Sequence, residues 1–167
     1  MMHGERPEVE DINSEERSAL AEVEGTAMIL CLVTRITGMR FAAISKFAEG
    51  NLVVYSVHDP QHLGIITAGQ SYELEEMICS ELRHHPMPLF IPKVSADKRS
   101  ASRAVVKKYE IESYIGVPIF LPDGRLYGTL CVLDSRPFLF EDPDLEDTMT
   151  LFANLIGCIF YSNLITE

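Results

Sequence analysis

Apolar residues recur every three or four positions near each end of the chain, and in the middle they alternate in short runs. Near the first end, Leu20, Val23, Ala27, Leu30 and Val33 or Thr34 mark one stripe of a helix. Ser14 can cap it and Gly38 stops it, which predicts a helix over about 14–37. Its apolar zone broadens after Ala27, as expected of a helix that lies deep in a domain or meets a partner chain. Near the other end, Leu145, Met149, Phe152, Ile156, Ile159 and Asn163 form the stripe of a helix over about 141–164. Glu141, Asp142, Asp144, Glu146 and Asp147 suit its positive N-terminus.

Between these helices the pattern predicts strands over 39–47 and 52–57 joined at 48–51, then an irregular stretch over 60–70. Ser71 can cap a short helix over about 72–84 with Leu74, Met77, Ile78 and Leu82 inward, ended by Pro86 and Pro88. A strand over 89–94 belongs at a sheet edge because Pro92 has no N–H to donate. A polar loop at 95–100 and a second short helix over about 101–109 follow.

The segment from Tyr114 to Asp134 is the most informative. Asp123-Gly124 between two apolar runs predicts a hairpin with a two-residue loop. Strand alternation then pairs Tyr114 with Leu133, Gly116 with Cys131, Pro118 with Thr129 and Phe120 with Tyr127 on one face. The other face pairs Ile115 with Val132, Val117 with Leu130, Ile119 with Gly128 and Leu121 with Leu126. This second face is aliphatic and suits packing under helices. The first carries rings, a hydroxyl and a thiol, the mixture found in concave sites as well as in irregular core faces.

The order of elements predicts an α+β fold. A central antiparallel sheet of five to six strands carries the long N- and C-terminal helices on one face, with short helices and loops covering a pocket on the other. Residues 1–13 read as a mobile lead-in and 14–167 as a single domain.

Composition narrows the function. With 47% hydrophobic and 23% charged residues the chain is globular rather than disordered. A net charge of −11 argues against binding nucleic acid. No apolar run approaches the roughly 20 residues of a membrane span, and the acidic start MMHGERPEVE is unlike a secretory leader, so a cytoplasmic protein is expected. Cys31, Cys79, Cys131 and Cys158 lack metal-type spacing and read as reduced core thiols. His58 and His62 flank Asp59-Pro60, which disfavours a helix and with it a metal pair. A basic cluster of Lys93, Lys98, Arg99, Arg103, Lys107 and Lys108 is either a solvated face or, through Arg99 and Arg103, a contact for an anionic ligand.

These pieces carry a resemblance. The run Pro88 to Val94 followed by Asp97-Lys98-Arg99, the strand Tyr114 to Ile119, the Asp123-Gly124 turn, Gly128 to Asp134 with Arg136-Pro137 behind it, and Phe140 with Asp144-Leu145 together resemble a GAF domain over about 15–164. The resemblance implies a regulatory sensor that binds a small molecule, forms a homodimer through its terminal helices and controls a linked effector domain. It implies pocket residues at Met77, Ile78, Leu82, Phe90, Tyr114, Gly116, Thr129, Cys131 and Leu133. Leu20, Val23, Ala27, Met149, Phe152, Ile156 and Ile159 become the candidate dimer residues. Cys79 is similar to a cysteine common in this helix of the family and reads as a packing residue.

The resemblance also sorts the subtypes. Ser100-Ala101-Ser102 stands where bilin-binding members place a cysteine and histidine, and Leu133 where phytochromes place a histidine. Covalent bilin is therefore not supported, while an unconventional or noncovalent attachment, for instance through Cys79, is the alternative photosensor reading. Leu145 replaces the glutamate of the cyclic-nucleotide signature. Cys79 and Cys131 do not reproduce the spacing of the free methionine sulfoxide reductases, so no catalytic residue is assigned and a non-enzymatic role is expected. A further alternative is a degenerate member that only dimerises, its pocket filled by its own side chains.

Overall fold

A computed structural model of the chain describes residues 13–164; the expected lead-in, apart from Asn13, lies outside the described residues. Helix α1 (Ser14–Thr37) starts as the stripe predicts, but its cap is Asn13 rather than Ser14. Asn13 Oδ1 accepts from the Glu16 N–H at 2.7 Å and the Glu16 carboxylate accepts from the Asn13 N–H. Only this choice of cap puts a glutamate three residues on, which closes the reciprocal box. Gly38, left-handed at φ 77°, ends the helix by donating its N–H to Thr34 O.

Six strands follow in one open sheet. They are β1 (Phe41–Ala48), β2 (Asn51–His58), β3 (Ser71–Glu73), β4 (Leu89–Ile91), β5 (Ser113–Phe120) and β6 (Leu126–Asp134). Their order across the sheet is β3-β2-β1-β6-β5-β4, with every pair antiparallel. The short helices α2 (Ser80–His84), α3 (Lys98–Ala101) and α4 (Ala104–Tyr109) join the strands, and α5 (Leu145–Leu164) closes the fold. The architecture is the expected α+β sheet with terminal helices on one face. α5 lies antiparallel to α1, with Ile159 against Gly25 and Asn163 Nδ2 donating to Glu22 at 2.9 Å.

Two elements differ from expectation. Residues 71–73 are not the first turn of a helix but the edge strand β3, pairing Leu52 with Tyr72. β2 would otherwise expose a full row of unpaired backbone groups, and satisfying them outweighs a modest helical preference. A 3₁₀ turn (Leu74–Glu76) then leads to the five-residue α2. The helix predicted over about 101–109 is shortened to α4, and α3 forms mainly inside the stretch expected to be a polar loop, where Asp97 caps it through the Arg99 and Ser100 N–H groups.

The β5–β6 hairpin keeps the expected register for six pairs, from Tyr114 with Leu133 to Ile119 with Gly128. Its loop, however, is Pro122-Asp123-Gly124. Leu121 donates to Arg125 O and accepts from the Gly124 N–H, each at 2.9 Å. A two-residue loop would have paired Pro122 with Arg125, and proline has no N–H for that pair. Pro122 instead takes the second position of a turn it favours, with Gly124 at φ 92°. The strand absorbs the extra step as a bulge at Tyr127, since Phe120 pairs with Leu126. The bulge turns Tyr127 away from the face on which alternation puts it and onto α5, where its ring lies 4.7 Å from Phe160. A second bulge, at Tyr55 in β2, accompanies a second ring against Phe160 at 4.9 Å.

The sheet separates two cores. Ile115, Val117, Ile119, Leu130 and Val132 face Leu30, Val33, Met149, Ala153 and Ile156 of the two long helices. On the opposite face, Phe41, Leu52, Val54, Tyr114, Cys131 and Leu133 meet the short helices and the loops around Ile65 and Ile111. At the end of β6, Asp134 is fully buried and bonds the side chains and the backbone N–H groups of both Arg40 and Arg136. Burial raises its pKa, but these two arginines more than offset that and hold it at about 2.

Candidate functional site

The site grows from one contact in β5. Side chains two apart on a strand share a face, and Gly116 leaves that face bare beside Tyr114. The Tyr114 ring lies down across Gly116, so close that a Cβ there would collide with the Tyr114 hydroxyl. The hydroxyl is thereby aimed along the sheet, and it meets Cys79 Sγ at 3.2 Å at the entrance to α2. Cys131, in register with Gly116, brings a second thiol to the same place. Thr129 stands two residues along β6 and Ser45 opposite it on β1; both hydroxyls are buried and make no hydrogen bond.

The electrostatics of this cluster follow from its dryness. Burial first, and then the neighbouring sulfurs, push the Tyr114 hydroxyl well up, so it remains a donor. The Cys79 thiol is drawn down because Cys131 and Tyr114 favour its anion, which outweighs desolvation. Cys131 moves the opposite way, since it is the group that donates to Cys79 and is itself buried. Cys79 is thus the more acidic of the two thiols.

Met77, Ile78, Tyr114, Cys131 and Leu133 line one small cavity together with Ile66, Cys79, Val105 and Ile111. Its volume of ≈ 10 Å³ is at the lower limit for one water molecule. Beyond the wall formed by Ile66, Met77 and Val105 lies an open cleft of ≈ 110 Å³, bordered by Tyr72, Glu76, Lys108 and Tyr109. Leu82 is buried in the same core layer. Phe90, expected here, sits on the other face. It pairs with Ile115, whose side chain points toward the long helices, and packs edge-on against Phe140 at 5.6 Å.

Arg99 and Arg103 are occupied within the chain. Arg103 donates to Glu75 O at 2.9 Å and to Glu81 Oε1 at 3.0 Å, while Arg99 reaches Glu81 Oε2 at 3.2 Å. The expected anion is therefore supplied by Glu75 and Glu81, and the bridge fastens α2 to α3 and α4 over the cavity. Ser45, Cys79 and Glu81 are the contributors that sequence reasoning left out of the site. A serine inside the apolar run FAAIS and a Glu75/Glu81 pair set against Arg99/Arg103 were the available signals.

On the helix face the two stripes divide differently from expectation. Met149 and Ile156 are fully buried against the sheet and cannot reach a partner chain, and Phe152 and Ile159 are half-buried. Leu20, Val23 and Ala27 are exposed, as are Met28 (64%), Leu32 and Ile36 of α1 and Leu151 and Leu155 (45%) of α5. Among the described residues no helix is long and apolar enough to cross a membrane.

An open antiparallel sheet with paired terminal helices on one side and a roofed side-chain cluster on the other defines a class of small α+β domains. The chain belongs to the GAF domain family, whose model matches residues 26–159. No curated protein sequence matches it. Among solved structures it is similar to the GAF domain of an Acinetobacter phosphoenolpyruvate-protein phosphotransferase, with TM-score 0.66 and 12% identity over 93% of this chain and 98% of that one. A far-red cyanobacteriochrome photoreceptor gives TM-score 0.70 at 17% identity, over 89% and 91% of the two chains. The type II free methionine-R-sulfoxide reductase of Thermoplasma acidophilum gives 0.66 at 13%, over 87% and 95%. At these identities the likeness is one of fold.

Proposed function

We propose that this GAF domain is the sensory unit of a cytoplasmic signal-transduction protein, a homodimer that passes the state of the Tyr114 cluster to a linked output domain through α1 and α5. The observation that carries this reading is the division of labour across β5 and β6. Even-numbered side chains of β5 and odd-numbered ones of β6, such as Tyr114 and Cys131, form the polar cluster, while Ile115, Val117, Leu130 and Val132 contact the long helices. A rearrangement on one face therefore has a short mechanical path to the other. Exposed Met28, Leu32, Leu151 and Leu155 on adjacent antiparallel helices give a second copy an apolar surface to cover. A non-enzymatic role fits the small cavity, since ≈ 10 Å³ leaves no room for a metabolite-sized substrate against the Cys79 sulfur.

Sedimentation velocity tests the assembly. The unaltered chain is expected to sediment as a dimer and a Leu32→Glu/Leu155→Glu variant as a folded monomer. A monomeric unaltered chain, or a double variant that dimerises equally well, overturns this reading.

A further inference from the structure

The cavity is too small for a metabolite, yet it encloses a nucleophile. Cys79 Sγ has the Tyr114 hydroxyl at 3.2 Å and lines the same small cavity as Cys131. Tyr114 is held over Gly116, and Gly116 is the register partner of Cys131, so the sheet itself sets the three groups at one point. Thr129 Oγ1, buried and without a hydrogen bond, borders them. Ile66, Met77 and Val105 stand between this point and the open cleft, so access falls to a reagent close to water in size that enters as these side chains move.

We propose that Cys79 and Cys131 form a modification site for hydroperoxides, closing to a disulfide on oxidation. The proposal rests on the sensory reading above and names what that site responds to. In the first step the Cys79 thiolate attacks one peroxide oxygen and the O–O bond breaks. The leaving oxygen departs as alkoxide or hydroxide and takes a proton from solvent, and Cys79 becomes a sulfenic acid. In the second step the Cys131 sulfur attacks the Cys79 sulfur, the S–O bond breaks, and hydroxide leaves as water with the Cys131 proton. Two thiols lose two electrons and the peroxide gains them. The order of the roles follows from the proton distribution, Cys79 giving up its proton before Cys131.

The product would strain a defined element. Cys79 is the residue before α2, and α2 carries Glu81, the anchor of Arg99 and Arg103. Drawing Cys79 against β6 displaces the Tyr114 hydroxyl and pulls on that fastening, while Leu130 and Val132 flank Cys131 on the helix side.

The test is hydrogen peroxide treatment of the whole chain, followed by peptide mass spectrometry under non-reducing conditions. A Cys79–Cys131 cross-linked peptide, lighter by two hydrogens, is expected. Cys131→Ser should stop at a Cys79 sulfenic acid trapped by a 1,3-dione, and Cys79→Ser should yield neither product. Tyr114→Phe should keep the disulfide but form it about tenfold more slowly, because one donor to the thiolate is lost. Should Cys79→Ser fail to fold, site mapping on the unaltered chain and the Tyr114→Phe rate still decide. If both thiols of the peroxide-treated chain prove fully alkylatable once it is unfolded, or Cys79 is oxidised with no cross-link to Cys131, the proposal is overturned. Amide exchange in α1 and α5 is read separately. A disulfide that leaves both helices unchanged overturns the sensory reading and keeps the chemistry, whereas an unoxidised but intact dimer overturns the chemistry alone.

Discussion

Replacing Tyr114 with alanine tests whether this side chain is what fills the site. Tyr114 is only 1% exposed and is among the largest fully buried side chains. Its floor is Gly116, which has no side chain to collapse into the space, so the vacated volume should persist. A void on the order of 100–150 Å³ at about 24 cal/mol per Å³ costs about 2.4–3.6 kcal/mol, and the lost transfer free energy brings the total to about 4–5 kcal/mol. Urea unfolding followed by circular dichroism reads this as a lower midpoint with unchanged slope. A dry cavity of that size accepts a small aromatic molecule. Phenol should therefore raise the melting temperature of Tyr114→Ala, in proportion to the logarithm of its concentration, and leave the unaltered chain untouched. A loss below about 1.5 kcal/mol together with no phenol effect would refute the claim that the Tyr114 ring is the plug, since relaxation alone would then have closed the space.

Gly116→Ala should destabilise the fold by about 1–3 kcal/mol by driving a methyl into the Tyr114 ring, and combining it with Tyr114→Ala should cost at least 1 kcal/mol less than the sum, measured by the same urea titrations. Asp134→Asn should cost about 2–3 kcal/mol at pH 7, because the buried carboxylate loses the charge that binds two partly exposed arginines. Asp134 ionises at about 2 when folded against 3.8 in the unfolded reference, so its ionisation contributes about 2.4 kcal/mol above pH 4. That part is lost as pH falls from about 4 to 2, and the gap between Asp134→Asn and the unaltered chain should narrow over this range; a constant gap would show that the charge is not what matters. Arg103→Gln should release α2, seen as at least tenfold faster amide exchange over 74–84 with little change in β5 and β6, and unchanged protection there would show that packing alone holds the roof.

Local chemistry made much of this legible. The Asp123-Gly124 signal and strict alternation located six correct cross-strand pairs and assigned each face of the hairpin to its proper core. The same reasoning failed at the loop, where a missing proline N–H added one residue and a bulge repaid it at Tyr127. It failed again at 71–73, because the need of β2 for a partner is invisible to a pattern read only along 71–84. For Phe90 the sequence shows an aromatic residue in a strand and nothing about which way that edge strand faces; only pairing with Ile115 decides it. The basic cluster was visible as charge, but Glu75 and Glu81 lie 28 and 22 residues from Arg103, beyond any local rule. Cys79 and Cys131, read separately as core thiols, converge because a tyrosine reclines over a glycine, which no spacing rule encodes.

The strand order has a consequence for how the chain acquires its shape. The two central strands, β1 and β6, come from opposite ends of the described sequence, so that Phe41 and Leu133 are partners ninety-two positions apart. Ribosomal synthesis delivers β1 and β2 early, and the inner edge of β1 then stays open until β6 emerges. During that interval the nascent hairpin presents the row Phe41, Ala42, Ala43 and Ile44 without its neighbour, a period in which it is open to mispairing. Closing so long a loop comes before most of its rewards, so folding of this domain should be slow for its size and gated by completion of the last strand.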